Sequence, residues 1–149
     1  MKRGGNQQTV KEKVLFICTH NSARSQMAEG LLRALYEGRY EAYSAGTIAT
    51  EVNPHAIEVM AEIGFDISTH RSKSIEEFQG IQFDHVVTVC DYARETCPFF
   101  PGAKHYIHKD FTDPASTGGS REEKLSVFRR VRDEIRQWIE ETFGNQNAH

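Results

Sequence analysis

The sequence predicts one small α/β domain, with three α/β/α layers built on a doubly wound, parallel, four-stranded sheet. Three observations predict it. Val14-Leu15-Phe16-Ile17-Cys18 and His85-Val86-Val87-Thr88-Val89-Cys90 are β-favouring runs with the pattern of strands covered on both faces. Strand-like and helix-like segments alternate along the chain, and right-handed crossovers between parallel strands put helices on both sides of a sheet. The length, 149 residues, is that of one ordinary domain able to bury its own core.

Residues 1–10 are polar and without periodicity, so they read as a flexible leader; residues 11–143 form the domain, and 144–149 read as a flexible tail. After the first strand, Met27, Leu31, Leu32 and Leu35 recur at helical spacing from Ser25, with Gly38 as a stop. Tyr40 to Ser44 reads as a second short strand. Asn53-Pro54 then supplies an N-cap and a first-turn proline for a helix whose apolar stripe is Ile57, Met60 and Ala61, closed by Gly64. The strand at 85–90 follows, then a weaker one at His105-Tyr106-Ile107-His108. Asp113 to Ser120 is a loop. Ser120-Arg121-Glu122-Glu123 is a capping box that opens a long helix, with Leu125, Phe128, Val131, Ile135, Trp138 and Ile139 on one face. No internal repeat is present.

Composition narrows the function. Hydrophobic residues make up 38% and charged residues 26%, which argues against extended disorder. The formal charge is −3 with no basic stripe, so neither nucleic acid nor an anionic membrane surface is an expected partner. No apolar run approaches membrane-spanning length, and Met1-Lys2-Arg3 has no apolar stretch behind it, so a cytoplasmic monomer is expected. His105 and His108 stand three apart on a strand and point to opposite faces, which makes them ordinary surface histidines rather than metal ligands. Three cysteines are an odd number, so a structural disulfide framework is not expected and reactive roles come forward.

Ligands of doubly wound sheets bind beyond the carboxyl ends of the strands. There the chain places Cys18-Thr19-His20-Asn21-Ser22-Ala23-Arg24-Ser25, a thiol and a guanidinium six positions apart just before a helix. Backbone N–H groups of such a loop, with the helix dipole behind them, form a nest for a tetrahedral oxyanion. Arg24 adds bidentate donors. The same positive surroundings favour the thiolate of Cys18, and Ser25 can donate a hydrogen bond to it. Asn21 tolerates the left-handed backbone that a tight cradle needs. The expected oxyanion contacts are therefore Thr19, His20, Asn21, Ser22, Ala23, Arg24 and Ser25.

Cys18-x5-Arg24-Ser25, followed by Gln26-Met27-Ala28-Glu29-Gly30, resembles the phosphatase-like arsenate reductases of the low-molecular-weight protein tyrosine phosphatase superfamily; the resemblance spans about residues 13 to 143. The loop alone does not choose between reductase and phosphatase. The other two cysteines favour the reductase: strands ending at Cys18 and Cys90 finish on one rim, roughly 4.8 Å apart if adjacent. Cys97 follows Cys90 by seven residues, about 10.5 Å along a helix, and a disulfide needs Cα atoms within roughly 7 Å. A Cys90–Cys97 bond therefore requires that short helix to melt.

The resemblance implies a triple-cysteine relay: Cys18 attacks arsenate, Cys90 attacks the Cys18 adduct, and Cys97 resolves the disulfide for re-reduction by thioredoxin, a glutaredoxin system or a small thiol. It implies Arg24 as a substrate clamp and Asp113, of Asp113-Pro114, as general acid; an Asp-Pro pair is also a common turn starter. No bound cofactor is implied. Some reductases of this family bind potassium through positions matching Asn21, Glu29 and Ser44, with an acidic residue where this chain has Lys73. A lysine can put its own ammonium there, so no metal is expected. Many relatives have glycine at His20 and cysteine at Ala23. Tyr92, Phe99 and Phe100 flank the relay cysteines as packing or as a docking surface. The alternatives are a low-molecular-weight phosphatase acting on phosphomonoesters, disfavoured by Ala115-Ser116 after the Asp-Pro pair, and a non-catalytic oxyanion sensor.

Overall fold

Val14, Leu15, Phe16 and Ile17 are fully buried, as a strand covered on both faces must be, and they form the heart of β1 (Glu12–Cys18). The structure, a computed structural model, describes residues 10–91 and 99–144. Most of the expected leader, the tail from 145 onward, Tyr92, Cys97 and the short helix expected across that stretch lie outside the described residues.

β1 is followed by α1 (Arg24–Tyr36), β2 (Tyr40–Gly46), α2 (Pro54–Glu62), β3 (Phe83–Thr88), β4 (Ala103–His108) and α3 (Arg121–Phe143). The four strands form one parallel sheet in the order β2-β1-β3-β4. The chain winds outward from β1 to β2 and then crosses back to β3, so the topological switch point lies between β1 and β3. Cys18 ends the first of these strands.

α1, α2 and α3 share one core with Val14, Phe16 and Val87 of the sheet. On the opposite face Leu15, Ile17, Phe83 and Val86 pack against Phe78, from a 3-10 turn at Ile75–Phe78, and against Phe100. The alternation along β1 decides which residue goes to which core. Helix ends are set by local chemistry. The Asn53 side chain accepts from His55 N ahead of Pro54, and the Ser120–Glu123 capping box is complete in both directions. Along α3 the expected stripe Leu125, Phe128, Val131, Ile135 and Ile139 is buried, continued by Phe143, while Trp138 is partly buried against the same core. Each such side chain contributes about 1.5–3 kcal/mol by leaving water.

One boundary differs in a way that touches the site. The run at 85–90 predicts a strand ending in Cys90, but β3 pairs from Phe83 and ends at Thr88. Ile17 pairs with Thr88, and the last ladder bond beyond it runs from Val89 N to Ile17 O at 2.9 Å. Because β1 itself stops at Cys18, β3 has no partner to continue against. Cys90 therefore sits in the bend beyond the strand. β2 and β4 are each two residues longer than expected, at the C-terminal end of β2 and the N-terminal end of β4.

Candidate active site

The loop from β1 to α1 is cradle-shaped because its carbonyl groups are held outward. Thr19 O accepts from Ile48 N at 3.2 Å, His20 O from the Ser72 hydroxyl at 3.0 Å, and Asn21 O from Gln26 Nε2 at 3.2 Å. Ser22 O accepts from Asn53 N at 2.9 Å and Ala23 O from Met27 N at 2.8 Å. In a trans peptide the N–H points opposite the C=O, so the N–H groups of His20 to Arg24 lie on the sides of their peptides away from these partners. α1 adds to this positive end: its N-cap, Ala23, makes no side-chain cap bond, and its first turn contains no acidic residue.

Asn21 makes the reversal possible. It is the one non-glycine residue with positive φ among the described residues, at 54°, and it is fully buried. Its amide is oriented unambiguously, since Oδ1 accepts from the backbone N–H of Lys73 at 2.8 Å and from Gln26 Nε2 at 2.8 Å. Nδ2 must then donate to Ser25 Oγ, at 2.8 Å. With one lone pair so engaged, the Ser25 hydroxyl keeps its hydrogen for Cys18 Sγ, 2.9 Å away. The expected Ser25–thiol contact is present, and Asn21 sets its direction.

Above the loop lies a pocket of about 250 Å³, lined by Cys18, Ser22 and Arg24 at its base and by Thr50, Asp113 and Ala115 at its mouth. Arg24 is buried. It donates to Phe111 O at 3.3 Å and stands 3.7 Å from Asp113 Oδ2. Asp113 plays two parts at once: Oδ1 accepts from Ala115 N at 3.0 Å and caps the turn, while Oδ2 is left toward Arg24. Asp113 therefore both caps this turn and lines the pocket.

Cys18 is a free cysteine and buried. Cys90 is fully buried, with Sγ 3.8 Å from Ile17 O, so it packs beside the peptide that leads into Cys18. His105 and His108 have separate surroundings, the first stacked on His85 at 5.3 Å and the second 2.7 Å from Thr88 Oγ1.

Beneath the loop is a buried polar network that the sequence reading covers only at Asn21, Glu29, Ser44 and Lys73. Ser44 donates to Glu29 Oε1, Arg33 meets Glu29 Oε2 at 2.6 Å, and Lys73 Nζ stands 3.8 Å from Oε1 and donates to Arg71 O at 2.6 Å. Burial pushes the Lys73 pKa down, opposed by the Glu29 charge. His70 closes the ring: Gln26 Nε2 is fully used as a donor, so Gln26 Oε1 accepts from His70 Nδ1 at 3.0 Å. His70 Nε2 then accepts from Arg33 at 3.1 Å, which is the neutral tautomer, and burial holds its pKa below 6.5.

The oxygens of Asn21, Glu29 and Ser44 do not fit a potassium ion in this chain. Asn21 Oδ1 is already doubly occupied, and an ammonium faces Glu29. A second cation about 4 Å from that ammonium would be repelled by about 4 kcal/mol in near-surface surroundings.

Gly46 and Thr50 are site residues that the sequence reading misses. A Cβ on Gly46 would lie 2.7 Å from Asn21 N and Thr19 O and 2.9 Å from Cys18 O, so the loop lies directly on this glycine. Gly46 pairs with Cys18 across the sheet, a relation that only strand register reveals. Thr50 is brought to the mouth by its N–H bond to Ser72 Oγ.

Residues 13–147 match the low molecular weight phosphotyrosine protein phosphatase family. The chain belongs to that family. It is 47% identical over 125 residues to an arsenate reductase from Halalkalibacterium halodurans, covering 84% of this chain and 90% of that one. A solved arsenate reductase in its phosphate-binding state superposes with a TM-score of 0.76 at 32% identity, covering 90% of this chain and 98% of the other. A thioredoxin-dependent arsenate reductase from Corynebacterium glutamicum gives 0.62 at 27% identity, over 96% and 67% of the two chains. Within the phosphatase family, the chain groups with arsenate reductases. Among its described residues, no helix is long and apolar enough to cross a membrane.

Proposed function

We propose that this chain is an arsenate reductase that converts arsenate to arsenite through its three cysteines and is reset by an external dithiol protein of thioredoxin type. The observation that carries the reading is the placement of Cys90 Sγ against Ile17 O, one peptide from the thiol that faces the oxyanion pocket. A hydrolytic phosphatase needs only the pocket; a second sulfur beside it suits electron transfer.

In the proposed sequence the Cys18 thiolate attacks arsenic, held by the loop N–H groups and Arg24, while Asp113 protonates the departing oxygen, which leaves as water. Cys90 then attacks Cys18 Sγ. The sulfur–arsenic bond breaks with its electron pair going to arsenic, which departs as arsenite, and a Cys18–Cys90 disulfide remains. Cys97 attacks Cys90, freeing the Cys18 thiolate and leaving Cys90–Cys97 for the reductant. Among the described residues, Thr50, Ala115 and Asp113 at the mouth are small or polar and His20 is the one ring in the lining, which supports a small substrate. No bound cofactor is required. The chain acts as a cytoplasmic monomer in this reading.

The deciding experiment is a single turnover. Fully reduced protein is mixed with arsenate, arsenite is quantified, and disulfides are mapped. One equivalent of arsenite with a Cys90–Cys97 bond is expected. Phosphomonoester hydrolysis without arsenite would make the chain a phosphatase, and oxyanion binding with neither would make it a sensor.

A further inference from the structure

We infer that Lys73 is a built-in cation for the anion loop, a positioning residue whose ammonium stands against buried Glu29 where a monovalent metal ion would otherwise be required. The lysine is held from both ends. Its side chain is 12% exposed and its ammonium lies 3.8 Å from Glu29 Oε1 and 2.6 Å from Arg71 O. Its backbone N–H donates to Asn21 Oδ1 at 2.8 Å, and its carbonyl accepts from Gly46 N at 2.8 Å.

These contacts form one line to the reacting sulfur. Drawing the ammonium onto Glu29 seats the Lys73 backbone against Asn21. With the bond from Gln26 Nε2, that contact holds the Asn21 amide in its orientation, and the amide donates to Ser25 Oγ, which lies 2.9 Å from Cys18 Sγ. Glu29 would otherwise be a carboxylate only 5% exposed, with Ser44 and the half-exposed Arg33 as its remaining partners. The other charges facing Lys73 are Arg33, which is paired with Glu29, and Arg71 and Glu77, which pair with each other. A metal ion bound by a protein can leave; an ammonium attached to the chain cannot. The loop is thus kept in register at any potassium concentration.

The test compares wild type, Lys73→Ala and Lys73→Met in potassium chloride, choline chloride and methylammonium chloride at equal ionic strength. Three readouts are taken: melting temperature, inorganic phosphate affinity and kcat/KM for arsenate. Only the third rests on the proposed activity, so its failure leaves the first two standing. Wild type should be indifferent to the cation. Lys73→Ala in choline should melt lower and bind phosphate about tenfold more weakly, and potassium or methylammonium should restore part of both losses by entering the vacated space. Lys73→Met keeps the aliphatic stem and fills that space, so it should bind phosphate weakly in every salt. A potassium-specific rise in wild type would overturn the inference. So would wild-type phosphate affinity in Lys73→Met, or a Lys73→Ala defect that no cation relieves.

Discussion

Asp113 Oδ2 stands 3.7 Å from the buried Arg24 guanidinium, across the pocket that holds Cys18. The carboxylate comes from the loop after β4 and the guanidinium from the first residue of α1. A carboxylate and a guanidinium are thus brought to one pocket from residues 89 positions apart in the chain.

Asp113→Asn should slow formation of the arsenic adduct by about 10²-fold, the usual worth of a positioned general acid. Arsenate affinity should change little, since Arg24 and the loop N–H groups remain. Rapid-quench measurement of the first turnover checks this. An unchanged rate would leave Asp113 with only its turn-capping role.

Cys18→Ser should abolish turnover. Cys97→Ser should release one equivalent of arsenite and stop at a Cys18–Cys90 disulfide, visible by peptide mapping. Repeated turnover by Cys97→Ser would remove Cys97 from the mechanism.

Gly46→Ala should displace the loop, because all three close neighbours of the new methyl are backbone atoms of Cys18, Thr19 and Asn21. Overpacking of this kind costs about 1–3 kcal/mol. Phosphate or arsenate binding should weaken along with the melting temperature. Gly38→Ala, whose new Cβ would meet nothing within 4 Å, is the control and should leave binding intact.

His70 is neutral when folded and its pKa is held below 6.5 by burial. The unfolded chain therefore binds more protons at this site as pH falls below about 6.5, so folding stability should decline there as acid is added. His70→Asn keeps a donor for Gln26 Oε1 and removes the titration, so its stability should change less over that interval. Melting curves across the range decide, and equal slopes in the two proteins would assign the acid sensitivity elsewhere.

Much of this fold is legible in sequence because its signals are local. The run Val14 to Cys18, the Asn53-Pro54 cap and the Ser120–Glu123 box each specify their element through contacts within a few residues. Asn21 is legible for the same reason, since a cradle between a strand and a helix calls for a residue that tolerates positive φ. The end of β3 is less so. Val89 and Cys90 look like strand, and what stops the ladder is the length of β1, a property of a different segment.

The sequence by itself determined the parallel α/β class and pointed to the loop from Cys18 to Arg24, because spacing along a chain fixes local geometry, while the acid role of Asp113 came forward through the family resemblance. Only the tertiary structure decided that Gly46 underlies the loop, that Thr50 and Ala115 shape its mouth, and that Glu29, His70 and Arg33 close a ring with Asn21 and Lys73. Those relations join positions tens of residues apart. They exist once strands β1 and β2 fall into register and α1 is laid across them, and no local pattern encodes a distance that packing alone creates.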